Sequence, residues 1–413
     1  MGSCCSKKKN SLNDNLLENS SGKTKNFSIN EEESIEVDGG NSDKKDSIEK
    51  KRLCYSDFEP LKLLGSGTFG RVLLVRKKNN NKLYAMKILE KSYIKQKHQE
   101  EHTKAERNLM VAVNSPFVSN IKYAFQDEFQ LYLVMEFMQG GDMFFHLHNG
   151  GRFSNEKTKF YIIELVLAIE SLHKNNMIYR DLKPENILMD RDGHIKITDF
   201  GLSKILVEPN DKTFTLCGTP QYIAPEVLYK TGYDKTIDWW SLGCILYEFL
   251  TECFPFVVPN QGKISIKVYE NPLKFPKYVT KDEIDLIKKL LQINPKKRLG
   301  AGPKDAEDVK AHKYFKGVNW EKYENKEVEP PFIPTFDGEE DLKYFDKAYI
   351  EEDINSNSQS THRSRVQSDF KGFTYTGNSF NNDLINNMPK IENETDVMSN
   401  NSNNNIEQNN DTE

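Results

Sequence analysis

Several short stretches carry side chains suited to handling phosphate and a hard cation. Gly65-Ser66-Gly67-Thr68-Phe69-Gly70-Arg71-Val72 lies between two apolar runs. Glycines let a backbone approach an anion closely and present N–H donors to it. In Tyr84-Ala85-Met86-Lys87 a lysine interrupts an otherwise apolar segment. An ammonium there is costly to bury unpaired, so it calls for phosphates and a carboxylate, and Glu106 is the best-placed acid. The run from Tyr179 to Asn186 (YRDLKPEN) is richer. Asp181 can accept or orient a hydroxyl proton, Lys183 can neutralise a phosphate in transfer, and Asn186 offers a carbonyl oxygen to a cation. Asp199-Phe200-Gly201 follows after one hairpin, which returns Asp199 near Asn186. Two converging oxygen ligands suit Mg²⁺, which keeps waters and phosphates as its other ligands.

Each feature has a blander reading when taken singly: a glycine-rich turn, an edge-strand lysine, a solvated acid. A dinucleotide-binding loop, the other use of GxGxxG, runs into a helix. Here a Val/Leu strand follows, which disfavours it. The joining of Asp181–Asn186 to Asp199 by one short hairpin makes coincidence remote.

These side chains need a frame. Leu61–Leu64 and Val72–Val75 read as strands flanking the glycine turn, and Lys77–Lys82 as a hairpin turn into a strand over Leu83–Leu89. Period-two alternation puts Ala85 and Lys87 on one face. His98–Val113 reads as a helix with His102 and Glu106 one turn apart. Gln130–Met138 reads as a strand leading to a hinge at Gly140-Gly141. Asn155–His173 and Asp238–Thr251 are long helical patterns, the latter apolar nearly all round and so predicted to be buried. Ile187–Met189 and His194–Thr198 flank the hairpin signal Asp192-Gly193.

The whole chain has 413 residues, 37% of them hydrophobic, with a net charge of -5. That length suggests one large two-lobed domain plus tails. The charge argues against nucleic-acid binding through bulk positive charge. Cysteines at 4, 5, 54, 217, 244 and 253 have neither metal nor secreted-disulfide spacing. No apolar run nears the roughly 20 residues of a membrane span. Residues 1–52 and 386–413 have disordered-type composition, 58–315 hold every chemical motif, and 316–385 form an aromatic, proline-punctuated tail.

The span 58–315 resembles a eukaryotic protein kinase domain, whose signature set these motifs match. The resemblance implies an α+β, bilobal fold: a small β-rich lobe with one key helix and a larger helical lobe. It implies ATP and Mg²⁺ as cofactors, with Gly65, Ser66, Gly67, Thr68, Phe69, Gly70 and Lys87 on the phosphates. Glu106 becomes the partner of Lys87, Asp181 the catalytic base, and Asn186 and Asp199 the metal ligands. Adenine would sit between Leu64, Val72, Ala85 and Leu188 and bond backbone at Glu136 and Met138, with Met135 as gatekeeper. Ala224-Pro225-Glu226 would close the activation segment, Arg298 pairing with Glu226, and Asp238 would brace the catalytic loop. Lys183 and Thr219 match the serine/threonine pattern. The alternative function, a pseudokinase scaffold, is opposed by intact Lys87, Asp181, Asn186 and Asp199; the long activation segment opposes a metabolic kinase.

Finer features resemble the AGC group, near protein kinase B, serum/glucocorticoid-induced kinase and ribosomal S6 kinase. Tyr179 begins the catalytic-loop motif, and the run Thr213–Pro220 (TFTLCGTP) makes Thr215 the implied activation-loop phosphosite, ringed by Arg180, Lys204 and His102. Tyr344-Phe345-Asp346 resembles the group's tail, with Phe345 over the nucleotide. Phe370-Lys371-Gly372-Phe373-Thr374-Tyr375 matches the hydrophobic motif, with Thr374 as phosphosite and a docking groove beside the Glu106 helix. Two departures stand out. The turn-motif site has no clear match beyond Ser356, Ser358 and Ser360, and Gln221 replaces a usual Glu. Asp142, Glu185 and Glu248 match positions that receive arginines upstream of the target, implying Arg-x-Arg-x-x-Ser/Thr substrates. An upstream activating kinase and a monomeric state complete the expectation.

The amino terminus adds a location. Met1-Gly2-Ser3-Cys4-Cys5-Ser6 fits myristoylation at Gly2, with Cys4 and Cys5 as palmitoylation candidates and Lys7-Lys8-Lys9 as a basic patch. One acyl chain binds membranes only marginally, so the second and third signals matter. The expectation is a cytoplasmic enzyme held peripherally at a membrane, acylation replacing the lipid-binding domain of protein kinase B.

Overall fold

A computed structural model describes residues 52–67, 70–206, 211–256, 266–354 and 370–377. Gly2, Cys4, Cys5, Thr68, Phe69, Ser356, Ser358 and Ser360 lie outside the described residues.

The small lobe is a five-stranded antiparallel sheet: β1 (Phe58–Gly67), β2 (Gly70–Lys77), β3 (Leu83–Glu90), β4 (Ile121–Gln126) and β5 (Gln130–Glu136), in spatial order β1-β2-β3-β5-β4. Two helices precede β4, α1 (Lys91–Gln96) and α2 (Glu100–Ala112). The pattern predicts a helix over 98–113, and α2 fills it from Glu100 to Ala112. The separate α1 before it is not predicted; between the two His98 takes a left-handed backbone, φ 52°, while the Gln99 amide turns back to the Ile94 carbonyl at 2.9 Å. The predicted Gln130–Met138 strand ends at Glu136. There the chain leaves the sheet for the hinge, where the Gly140 amide donates to the Met189 carbonyl at 3.0 Å and the Met189 amide to the Gly141 carbonyl at 2.8 Å.

The large lobe is built on α3 (Met143–Gly150), α4 (Asn155–Lys174), α5 (Pro225–Tyr229), α6 (Thr236–Thr251), α7 (Lys281–Leu290) and α8 (Ala306–Lys310). Between α4 and α5 run the short strands β6 (Met177–Ile178), β7 (Ile187–Met189), β8 (Ile195–Ile197) and β9 (Lys204–Ile205); β6 pairs β9 and β7 pairs β8. Helix α6 is buried from Thr236 to Leu250, as its apolar composition demands, and packs on α4 and α7. Its near neighbour α7 starts with a reciprocal capping box between Thr280 and Glu283. Among the described residues no helix is long and apolar enough to cross a membrane.

Beyond α8, short helices α9 (Trp320–Glu324) and α10 (Lys347–Ile350) belong to a tail that lies along both lobes. Phe332 packs edge-on against His146, and Phe345 stacks on Phe137 with ring centroids 5.8 Å apart. The tail wraps the folded body, as its composition suggests, and its last described piece buries Phe370 and Phe373 in the main core.

Candidate active site

The cleft between the lobes has a volume of about 1160 Å³. Gly65, Ser66 and Gly67 at the end of β1 and Gly70 and Val72 of β2 line it from the small lobe. A Cβ on Gly70 would come 1.9 Å from the Ile88 carbonyl oxygen of β3, so packing alone demands glycine there. At Gly65 and Gly67 an added Cβ would meet no protein atom, yet both line the cleft. Among the described residues no packing explains these two; a close-lying external anion would.

Strand β3 aims Lys87 into the cleft, where its Nζ meets Glu106 Oε1 of α2 at 2.8 Å and Asp199 Oδ1 at 2.9 Å. Burial works against the Lys87 charge, but Asp199 and Glu106 outweigh it and hold the ammonium firmly protonated. The Lys87 charge pulls the Asp199 carboxyl below its ordinary range, while burial pushes Glu106 up. One lysine thus bridges two acids, one buried and one open to the cleft: the Asp199 side chain is 49% exposed. Asp199 sits at φ 58° and Arg180 at φ 71°, left-handed conformations rare outside glycine. Such strained non-glycine residues cluster at functional sites.

Asp181, between β6 and β7, is the centre of a compact polar array. Its Oδ2 accepts from Lys183 Nζ at 2.9 Å and its Oδ1 accepts from Thr219 Oγ1 at 2.7 Å. Lys183 Nζ also donates to Thr219 Oγ1 at 2.9 Å. Asn186 spends its amide protons on Asp181, 2.8 Å to the carbonyl and 3.0 Å to Oδ2, which turns the Asn186 carbonyl oxygen the other way. The donor set of Asn186 and Asp199 oxygens beside a lysine-held anion site fits a hard divalent cation. The loop itself is braced from α6: Asp238 accepts from the Tyr179 amide at 2.9 Å and the Arg180 amide at 3.0 Å. Glu226 and Arg298 form a buried two-pronged pair at 2.6 and 2.9 Å, locking the end of the activation segment to the large lobe.

Of the other expected residues, Leu64, Gly65, Ser66, Gly67, Gly70, Val72, Lys87 and Asp199 line the cleft. Ala85 faces Met135 across β3 and β5, Met138 is buried, and the Glu136 side chain turns out to Lys196 at 2.6 Å. Asp142 and Glu185 open on the cleft. Glu248 does not: it is 5% exposed, and Tyr222 OH donates to it at 2.6 Å. Burial raises both Asp142, to about 6, and Glu248, to about 7, with the charge of Glu185 adding to each.

Around Thr215 the described link is indirect: Arg180 Nη1 donates to Tyr233 OH at 3.5 Å, and Tyr233 OH donates to the Thr215 carbonyl at 2.7 Å. Arg180 Nε donates to the Leu202 carbonyl, and His102 meets Gln99 Oε1 at 2.7 Å on the cleft wall. In the tail, Tyr375 extends the sheet by pairing with Ala124 of β4, its amide donating at 2.7 Å. Phe370 and Phe373 are 1% and 0% exposed; Arg107 of α2 donates to the Gly372 carbonyl and its guanidinium lies over Phe373. Thr374 is exposed beside them. Sequence reasoning missed Lys347 and Tyr349, which line the cleft from more than two hundred residues beyond the glycine turn and carry no motif of their own.

A family profile described as "Protein kinase domain" matches residues 58–315, and the chain belongs to that family. The chain is 41% identical over 354 residues to "RAC family serine/threonine-protein kinase homolog" of Dictyostelium discoideum, covering 85% of this chain and 78% of that protein. It is 43% identical to "Serine/threonine-protein kinase AtPK2/AtPK19" of Arabidopsis thaliana (77% and 68% covered) and 43% identical to "Ribosomal protein S6 kinase beta" of Caenorhabditis elegans (79% and 60% covered). With these relatives it falls in the AGC group of serine/threonine protein kinases, enzymes that use ATP and a divalent metal.

Proposed function

We propose that this chain is an Mg²⁺-dependent, arginine-directed AGC kinase, switched on by phosphorylation at Thr215 and Thr374 and tethered to a membrane by its acylated amino terminus. The observation that carries the catalytic part is the Asp181–Lys183–Thr219 array beside the Lys87–Glu106–Asp199 bridge. In this reading Asp181 accepts the hydrogen bond of the target hydroxyl and orients it for attack, the place Thr219 Oγ1 takes here. Lys183 sets its charge against the phosphoryl group in transfer, and Lys87, steadied by Glu106, holds the nucleotide phosphates. Asn186 and Asp199 would hold the divalent metal, whose charge would offset that of the phosphates.

Support for substrate choice is the pair Asp142 and Glu185 on the cleft, whose repulsion an arginine would relieve; Glu185 also acts on Glu248, which lies buried beneath Tyr222. Support for the switch is the Arg180–Tyr233–Thr215 chain and the seating of Phe370 and Phe373 beside α2, which carries Glu106. Phosphate on exposed Thr374 would gain from Arg107, Lys104 and Lys91 around that seat.

A transfer assay on an arginine-containing peptide array, with Asp181→Ala as control, tests the reading. Wild type should label peptides carrying upstream arginines and the variant should not; equal labelling would refute intrinsic activity. For the tether, Gly2→Ala should empty the membrane fraction of expressing cells, and an unchanged membrane pool would refute it.

A further inference from the structure

His173 has a carboxylate on each ring nitrogen. Nε2 lies 3.0 Å from Asp238 Oδ2, and Nδ1 lies 3.0 and 3.1 Å from the two oxygens of Asp305. The three residues are 3%, 1% and 9% exposed. A neutral imidazole carries one N–H and can donate to only one of them; satisfying both carboxylates takes the imidazolium. The charges then balance, because Lys235 Nζ meets Asp305 Oδ2 at 2.7 Å: two acids face two cations. With a neutral ring, two buried carboxylates would share one lysine, an arrangement that burial penalises. The other charges on packed elements, Glu170 and Lys174 of α4 and Lys310 of α8, are engaged with one another at 2.6–2.9 Å. His173 also ends α4, where the helix dipole favours a cation, and its folded environment raises its pKa.

Asp305 is held for this purpose at a cost. Its backbone sits at φ 49°, ψ -113°, a strained conformation for a non-glycine residue. In return its carboxylate receives His173, Lys235 and, at 2.7 Å, the Trp239 indole N–H. Asp238, at the far end of the chain, accepts the Tyr179 and Arg180 amides that precede Asp181.

We propose that Asp305 and His173 are positioning residues for phosphoryl transfer, forming a carboxylate–imidazolium–carboxylate chain that holds Asp238 on the catalytic-loop amides and so sets the backbone from which Asp181 projects. The inference rests on the chain being an active kinase. The test is Asp305→Asn in the full chain, since asparagine has the same shape and keeps oxygen for Lys235 and Trp239 while losing the charge. Its kcat should fall roughly tenfold with the KM for ATP unchanged, and Asp305→Glu should recover part of the loss. The variant's kcat should also gain an inflection near the ordinary imidazole value of about 6.5, where wild type is flat. In ¹⁵N-histidine NMR at about pH 7.5, His173 should be doubly protonated in wild type and neutral in the variant. A neutral wild-type ring, or a kcat and pH profile equal to wild type in the variant, would overturn the proposal. If wild type transfers no phosphate, the kinase reading fails by the peptide assay, while the NMR result still reports on the chain of charges.

Discussion

Thr219 is the residue that ties substrate-side and loop-side chemistry together. Its hydroxyl lies between Asp181 and Lys183, at 2.7 and 2.9 Å, and so holds the carboxylate and the ammonium in register. Thr219→Ala leaves only the direct Lys183–Asp181 pair, and on the proposed reading kcat should fall about tenfold with little change in the KM for ATP, read by steady-state kinetics. At the same scale, the proposed arginine preference would be pH-dependent through Asp142, whose carboxyl burial raises to about 6. Below that value it is neutral and would attract arginine less. The KM of an upstream-arginine peptide should therefore rise as pH falls from about 8 to about 5.5, while that of an alanine-substituted peptide should stay nearly level.

Elements transmit what these residues need. Helix α2 carries Glu106 on one side and the Arg107 seat for the tail on the other, so the tail's docking and the Lys87 bridge share one rigid body. Phe373→Ala removes a fully buried ring, a change worth about 3–5 kcal/mol in a packed core. The tail should detach: proteolysis after residue 350 should accelerate, and kcat should drop because α2 loses its outer support. In the large lobe, Arg298→Ala strands Glu226 in the core, costing about 3–5 kcal/mol. For a lobe of this size that is a fall in Tm on the order of 10 °C by calorimetry. Replacing both partners with apolar residues should recover much of it, since the pair's removal costs less than its breaking.

For the whole molecule, the tail is a strap across two lobes. Arg71 of β2 donates to the Ile354 carbonyl at 2.8 Å, while Gln139, at the hinge, donates to the carbonyls of Gly338 and Asp341 at 2.7 and 3.0 Å. Stability at low pH is likewise a property of the assembled large lobe. Burial alone would raise the Asp305 carboxyl, but His173, Lys235 and Trp239 together hold it at about 2. Its unfolded value is about 3.9. A depressed carboxyl stabilises the fold above its unfolded value and loses that contribution as pH falls through the folded one. The gap in urea midpoint between wild type and Asp305→Asn should be widest near neutrality and shrink between about pH 4 and 2.

Much of this protein was legible in one dimension. Where reacting groups are local, spacing decides: Asp181, Lys183 and Asn186 sit within six residues, and one hairpin brings Asp199 to them. The strands around the glycine turn and the buried α6 follow from periods of two and from continuous apolarity, which depend on neighbours in sequence. The short α1 before the predicted helix escaped because its six residues are too few for a periodic trace, and the left-handed His98 that parts it from α2 leaves none either. The burial of Glu248 under Tyr222, the tail's share of the cleft wall and the His173–Asp305 contact could be decided only by tertiary structure. The first and last of these join residues 26 and 132 positions apart. No local propensity encodes which distant carboxylate meets which imidazole; that is set by how α4, α6 and α8 pack, and the packing in turn fixes which charges can share a buried site.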